Sequence, residues 1–179
     1  ILAGVGVALL ASSCGTVRET LTARSAMEQL LLSCAADRAC EEFPAEQFRG
    51  KNVYLDMANM ECTDKGYVTQ CLRKALLDGG AMLPKTAAEA DVILEVASGS
   101  LALNKRDLLL GIPAFPLPVP FAGEAIKFPE VPIWKLITYR SRAKLLMCAV
   151  DPTSGASVAD LPVCNGRARD SYWWALIIG

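Results

Sequence analysis

The sequence predicts an α/β (α+β) fold in which two main helices pack on a small mixed sheet. Three observations carry this prediction. Apolar residues recur at helical spacing over 18–42 and again over 65–78. The segments 52–58 and 92–97 have the length and apolar pattern of strands. These segments alternate helix, strand, helix, strand, which is the order of an α/β unit with helices packed on a sheet.

In the first helix, Ala23, Met27, Leu30, Leu31 and Cys34 fall at i, i+4, i+7, i+8 and i+11, and this stripe is expected to face the core. Glu19, Arg24, Glu28, Asp37 and Arg38 cover the rest, and Pro44 with the polar stretch to Gly50 ends the helix. In 52–58, Val53, Leu55 and Met57 alternate with Tyr54 and Asp56. Asp64 is the expected N-cap of the second helix, with Val68, Leu72, Ala75 and Leu76 inward and Gly79-Gly80 as its stop. A short strand at 81–83 and a strand at 92–97, extending toward 103, follow.

Residues 108–133 break this regularity. They hold six of the ten prolines (Pro113, Pro116, Pro118, Pro120, Pro129 and Pro132), interleaved with Leu, Ile, Val and Phe. Proline removes backbone donors and disfavours both helix and central strand, while the apolar residues argue against a solvated linker. The expectation is an extended greasy loop lying on its own domain or on a partner. Ile112, Phe115, Leu117, Val119 and Phe121 are its candidate interface residues, joined by Trp173 and Trp174 near the end of the chain.

Segment 134–150 reads as one long strand, or two broken near 139–142. Its part 145–150 is apolar on both faces, as in a central strand. With 161–165 it predicts a hairpin around the turn 151–155, and Cys148 and Cys164 lie nearly equidistant from that turn. The apolar end, 172–179, is expected as a last strand packed on the core.

The composition excludes several function classes. The formal charge is −1, which gives no bulk electrostatic case for nucleic acid. Histidine is absent, removing the commonest general base and metal ligand. No phosphate-cradling glycine loop and no nucleophile elbow is present. Asp56, Glu61 and Asp64 bracket a strand end without a metal-ligand pattern, so capping and solvation explain them better. Lys135, Arg140, Arg142 and Lys144 form a basic cluster for which an anionic lipid headgroup is a weak option. No enzyme, cofactor or metal is expected.

Residues 1–13 form an uncharged, small-residue apolar run ending at Cys14. That is the length of a secretory h-region and well short of the ~20 residues of a membrane span. Leu10-Ala-Ser-Ser-Cys14 resembles a bacterial lipobox, making Cys14 the candidate lipidation site and 14–179 a single periplasmic domain. An ordinary signal peptide with an incidental cysteine is the alternative. By resemblance to diderm lipoproteins, Gly15 after the cysteine implies outer-membrane sorting. The other cysteines, Cys34, Cys40, Cys62, Cys71, Cys148 and Cys164, are an even number in an exported chain. They predict up to three disulfides among 15 possible pairings, with Cys148–Cys164 the one pair the hairpin favours.

Four blocks resemble an uncharacterised bacterial lipoprotein family classed as a domain of unknown function. They are 22–31, 64–68 with the following helix, 88–96, and Asp107-Leu-Leu-Leu-Gly-Ile-Pro-Ala114 with Pro116-Leu-Pro118. The resemblance implies no assigned activity, and the cysteines depart from the family's pattern. At fold level the element order is similar to curli-secretion-channel lipoproteins, which assemble as rings, although the proline content argues against membrane-spanning strands here. The functional expectation is a lipid-anchored structural or assembly component of the cell envelope. It would self-associate or dock on other envelope proteins, with no nucleic-acid partner. The alternative is a monomeric periplasmic binding module for a lipid or other apolar ligand.

Overall fold

The computed structural model describes residues 24–117 and 126–175. The first helix, α1 (Ala26–Glu41), starts at Ser25, whose hydroxyl accepts a 3.2 Å hydrogen bond from the Glu28 N–H. Its buried face is Leu31, Leu32, Ala35, Ala36, Ala39 and Cys40, rotated from the predicted stripe, and Leu30 is 58% exposed. The cause is steric. The helix lies so close to the sheet that a Cβ on Gly166 would stand 1.7 Å from the Ala35 carbonyl oxygen. Only a face rich in alanine fits such an approach, so side-chain volume outweighs hydrophobicity in choosing the face.

The second helix, α2 (Lys65–Asp78), has the predicted bounds and buries Val68, Leu72 and Leu76. Asp64 stands at its N-cap position, but its carboxylate makes no capping bond. It takes the Arg24 guanidinium instead, at 2.7 and 2.5 Å, and that pairing holds its pKa below the ordinary carboxylate range. This fork ties the start of α1 to the start of α2.

Strand β1 (Val53–Asp56) runs parallel to β2 (Val92–Ile112), with α2 as the crossover between them. Strand β2 pairs antiparallel with β5 (Val131–Val150) over almost its whole length. Strand β5 in turn pairs with β7 (Cys164–Ala175) and, at its end, with the short β6 (Ser157–Ala159). The predicted strand at 81–83 is only a bridge between Asn52 and Met82. The turn 151–155 forms, with Asp151 accepting from the Thr153 and Ser154 N–H groups at 2.7 and 3.0 Å. The strand that follows it is β6, and Cys164 opens β7 opposite Leu145.

Both helices cover one face of the sheet, and Leu94, Val96, Ala143, Leu145, Met147 and Ala149 form its inner layer. No described element covers the other face. The run 145–150 is therefore central in pairing yet buried on one side only, with Leu146 48% exposed. The Ser141 hydroxyl donates to the Leu31 carbonyl at 2.6 Å near one end of α1, and the Asn165 N–H donates to the Glu42 carboxylate at 2.7 Å at the other. The helix thus runs away from the part of the sheet that projects beyond it, and the chain enters the body at the root of that projection.

That projection corrects the predicted loop at 108–133. Residues Leu108–Ile112 continue β2 and pair with 131–136 of β5. Beyond them β3 (Phe115–Leu117) pairs with β4 (Ile126–Phe128) as a small second ladder. Prolines are accommodated where pairing is already interrupted. Pro132 lies opposite Gly111 at a register shift, beyond the last described residue of β7, where β5 has one described neighbour. Gly111 has φ +150°, and a Cβ there would meet the Val131 carbonyl at 2.3 Å, so this crossing of backbones requires glycine. Pro113 and Pro129 sit in the short links outside the ladders.

Candidate functional site

The projecting part of the sheet is a hairpin arm built from the distal halves of β2 and β5, flanked by β7. A bulge at Gly99 creates it. Ser98 faces Leu145 and Ser100 faces Lys144, so one residue of β2 is extra and the side-chain alternation of the strand inverts there. Beyond the bulge the odd-numbered residues of β2 face the helix side. The arm extends past the reach of the helices, leaving large apolar side chains in solvent on both surfaces. Leu108, Leu110, Ile112, Phe115, Val131, Ile133, Tyr172 and Trp173 are all exposed, with Leu110 at 61% and Trp173 at 59%.

Most candidate interface residues meet here. Ile112 ends β2, Phe115 stacks on Phe128 with ring centroids 5.1 Å apart, and Leu117 pairs with Ile126. Trp173 and Trp174 pair with Leu136 and Lys135, so the described part of the predicted last strand, 172–175, lies on the arm rather than the core, and 176–179 lie outside the described residues. Val119 and Phe121, like Cys14, lie outside the described residues. Sequence reasoning missed Leu108, Leu110, Ile133 and Tyr172. The run Leu108-Leu-Leu110 was the available signal, masked by the weight given to proline.

Among the described residues the arm has two unpaired edges. Strand β1 covers β2 only from Val92 to Glu95, and no described strand lies outside β7. Such edges present rows of free N–H and C=O groups to another strand. A cleft of about 280 Å³ between α1 and α2 is lined by Asp37, Cys40, Glu41, Cys71, Lys74, Ala75 and Asp78. No described helix is long and apolar enough to cross a membrane.

The cysteines correct a second expectation. Cys34, Cys40, Cys62, Cys71, Cys148 and Cys164 are all free thiols. Cys148 is exposed on the open face, whereas Cys164 is fully buried under α1. Their opposite alternation rules out the predicted cross-hairpin bridge, because the register places Cys164 opposite Leu145. Cys40 and Cys71 meet across the helices, and Asp37 accepts from the Tyr67 hydroxyl at 2.9 Å and the Cys71 thiol at 3.3 Å. Burial pushes Cys40 up to about 12, and Cys71 and Cys164 up to about 11. These are neutral thiols at physiological pH, unlike an activated nucleophile. Among the described residues no cluster suits a metal ion. Asp56, Glu61 and Asp64 do not converge: Asp56 caps the Ala58 N–H, and Asp64 is held by Arg24.

The basic cluster divides between the two faces. Lys135 points to the helix side and pairs with Glu130. Arg140, Arg142 and Lys144 point to the open face. A family model described as a family of unknown function (DUF6655) matches residues 7–179, and the chain belongs to that family. The chain matches no curated protein.

Proposed function

We propose that this member of a family of unknown function is a non-catalytic, lipid-anchored component of the cell envelope that assembles through its hairpin arm. One observation carries the reading: a ladder with both edges unpaired and apolar residues bare on both surfaces extends beyond the helices. The lipobox-like segment ending at Cys14 supports an anchor, and lipid chains at ~0.8 kcal/mol per buried CH₂ hold a protein on a membrane. Outer-membrane residence facing the periplasm follows the same N-terminal reasoning.

The edges also define the mode of association. Strands β2 and β7 both run toward the tip of the arm, since each is antiparallel to β5. Joining β7 of one copy to β2 of the next is a head-to-tail contact, which propagates into a ring or a filament. It leaves the same face of every copy on the same side.

The test is the native mass of the lipidated protein, extracted in mild detergent without cross-linking. A discrete multiple of the protomer is expected. Leu110→Asp with Ile112→Asp should return it to protomer mass while the circular dichroism of the body persists. A monomeric wild-type protein, alone in its detergent micelle, would overturn the proposal.

A further inference from the structure

The cross-strand register brings together cations that are scattered in sequence. On the open face, Lys144 aligns with Ser100 and Asn165, Arg142 with Ala102 and Arg167, and Arg140 with Asn104 and Arg169. The next row is Arg106, Thr138 and Ser171. Six cations therefore share four successive rows that contain no carboxylate. All six are exposed, and none forms an ion pair with any described residue. On the same face Glu95 lies two rows behind Lys144, away from the arm. The opposite surface of these strands is balanced: Lys105 pairs with Asp107 at 3.2 Å, and Lys135 with Glu130.

Toward the tip, the composition of the open face changes abruptly. The row after Arg106 is Leu108, Leu136 and Trp173, and the one after that is Leu110, Trp134 and Ala175. At ~3.3 Å per residue the cationic zone is roughly 20 Å long and abuts the apolar zone directly. Concentrating like charge on an open sheet face costs repulsion that an anionic partner relieves. A soluble polyanion accounts for the cations alone. The order of cations, then tryptophan, then aliphatic side chains follows the polarity gradient of a lipid interface.

We infer that this face docks on an anionic phospholipid surface, with the six cations on lipid phosphates and the Trp134, Trp173, Leu108 and Leu110 end set among the outermost acyl carbons. The arm lies in the interface and does not span it alone, because its two unpaired edges cannot enter hydrocarbon without hydrogen-bond partners. The contact does not depend on self-association, so its failure and that of the assembly proposal are read separately.

The anchor is removed by Cys14→Ser in the otherwise full chain, and binding is measured to phosphatidylcholine vesicles with and without about one-third phosphatidylglycerol. Of the chain's three tryptophans, Trp134 and Trp173 lie on this face beyond the cationic rows, so tryptophan emission reports the contact. Binding to the anionic vesicles is expected, with a blue shift, weakening as salt rises. At about fivefold per cation, Arg140→Gln, Arg142→Gln and Arg169→Gln together should weaken it on the order of a hundredfold. Leu110→Ser with Trp173→Ser should also weaken it. Lys65→Gln, Arg73→Gln and Lys74→Gln on α2 should change it little while removing equal charge. Equal affinity for both vesicle types, or insensitivity to the arginine substitutions in a folded variant, overturns the inference. So does binding to duplex DNA or RNA more tightly than to vesicles, with no dependence on Leu110 and Trp173.

Discussion

Two positions show how single residues set this architecture. Gly166 lets α1 rest against β7 at a distance no side chain permits. Gly166→Val is expected to lower stability by about 3 kcal/mol through overpacking, read as a fall in the urea midpoint with little change in slope. The cysteines respond to burial. At pH 8 an alkylating reagent should label exposed Cys148 in the folded protein well before Cys40, Cys71 and Cys164. Their folded pKa values of about 12, 11 and 11 stand above the ordinary thiol value of 9.0. Groups raised in the folded state stabilise it fully below the unfolded pKa, and that contribution fades as pH rises toward the folded one. Stability should therefore be flat through neutral pH and decline above about pH 9, as thiolates form first in the unfolded chain. A urea midpoint that stays constant to pH 11 would contradict this.

At the scale of elements, α2 was legible in the sequence to the residue, because Asp64 and Gly79-Gly80 bound a clean apolar stripe. The buried face of α1 was not, because its alanines owe their burial to a glycine on a strand more than a hundred residues away. The arm was hidden for a different reason. Proline content describes what each residue does to a regular ladder, whereas the bulges at Gly99 and Gly111 absorb the irregularity locally. Being paired without being packed, the arm should open more readily than the body. In the isolated protomer, amides of 108–112 are expected to exchange with solvent well before those of Leu94, Val96, Leu145 and Met147. Equal protection in both regions would mean that the arm is part of the cooperative core.

For the molecule as a whole, the two faces divide the work. One carries the helices and the hydrophobic core, and no described element covers the other. A near-neutral chain thereby displays a strongly cationic surface, since its described carboxylates collect on the helices, on the helix side of the arm and at the far end of the sheet. Net charge gives no hint of this. Native mass and vesicle binding together separate a solitary interfacial protein from one that assembles on the membrane.

The sequence by itself determined the α/β class, α2, β1, the absence of familiar catalytic constellations and the apolar character of 108–117. These are local properties, written in spacing and composition within a few turns of chain. Tertiary structure decided which face of α1 is buried, that Cys148 and Cys164 lie on opposite sides of the sheet, and that six cations from β2, β5 and β7 share one surface. Each of these depends on strand register, and a shift of one residue sends every side chain to the other face. Register is fixed by pairing between distant segments and by bulges, and neither is visible in a single stretch of sequence.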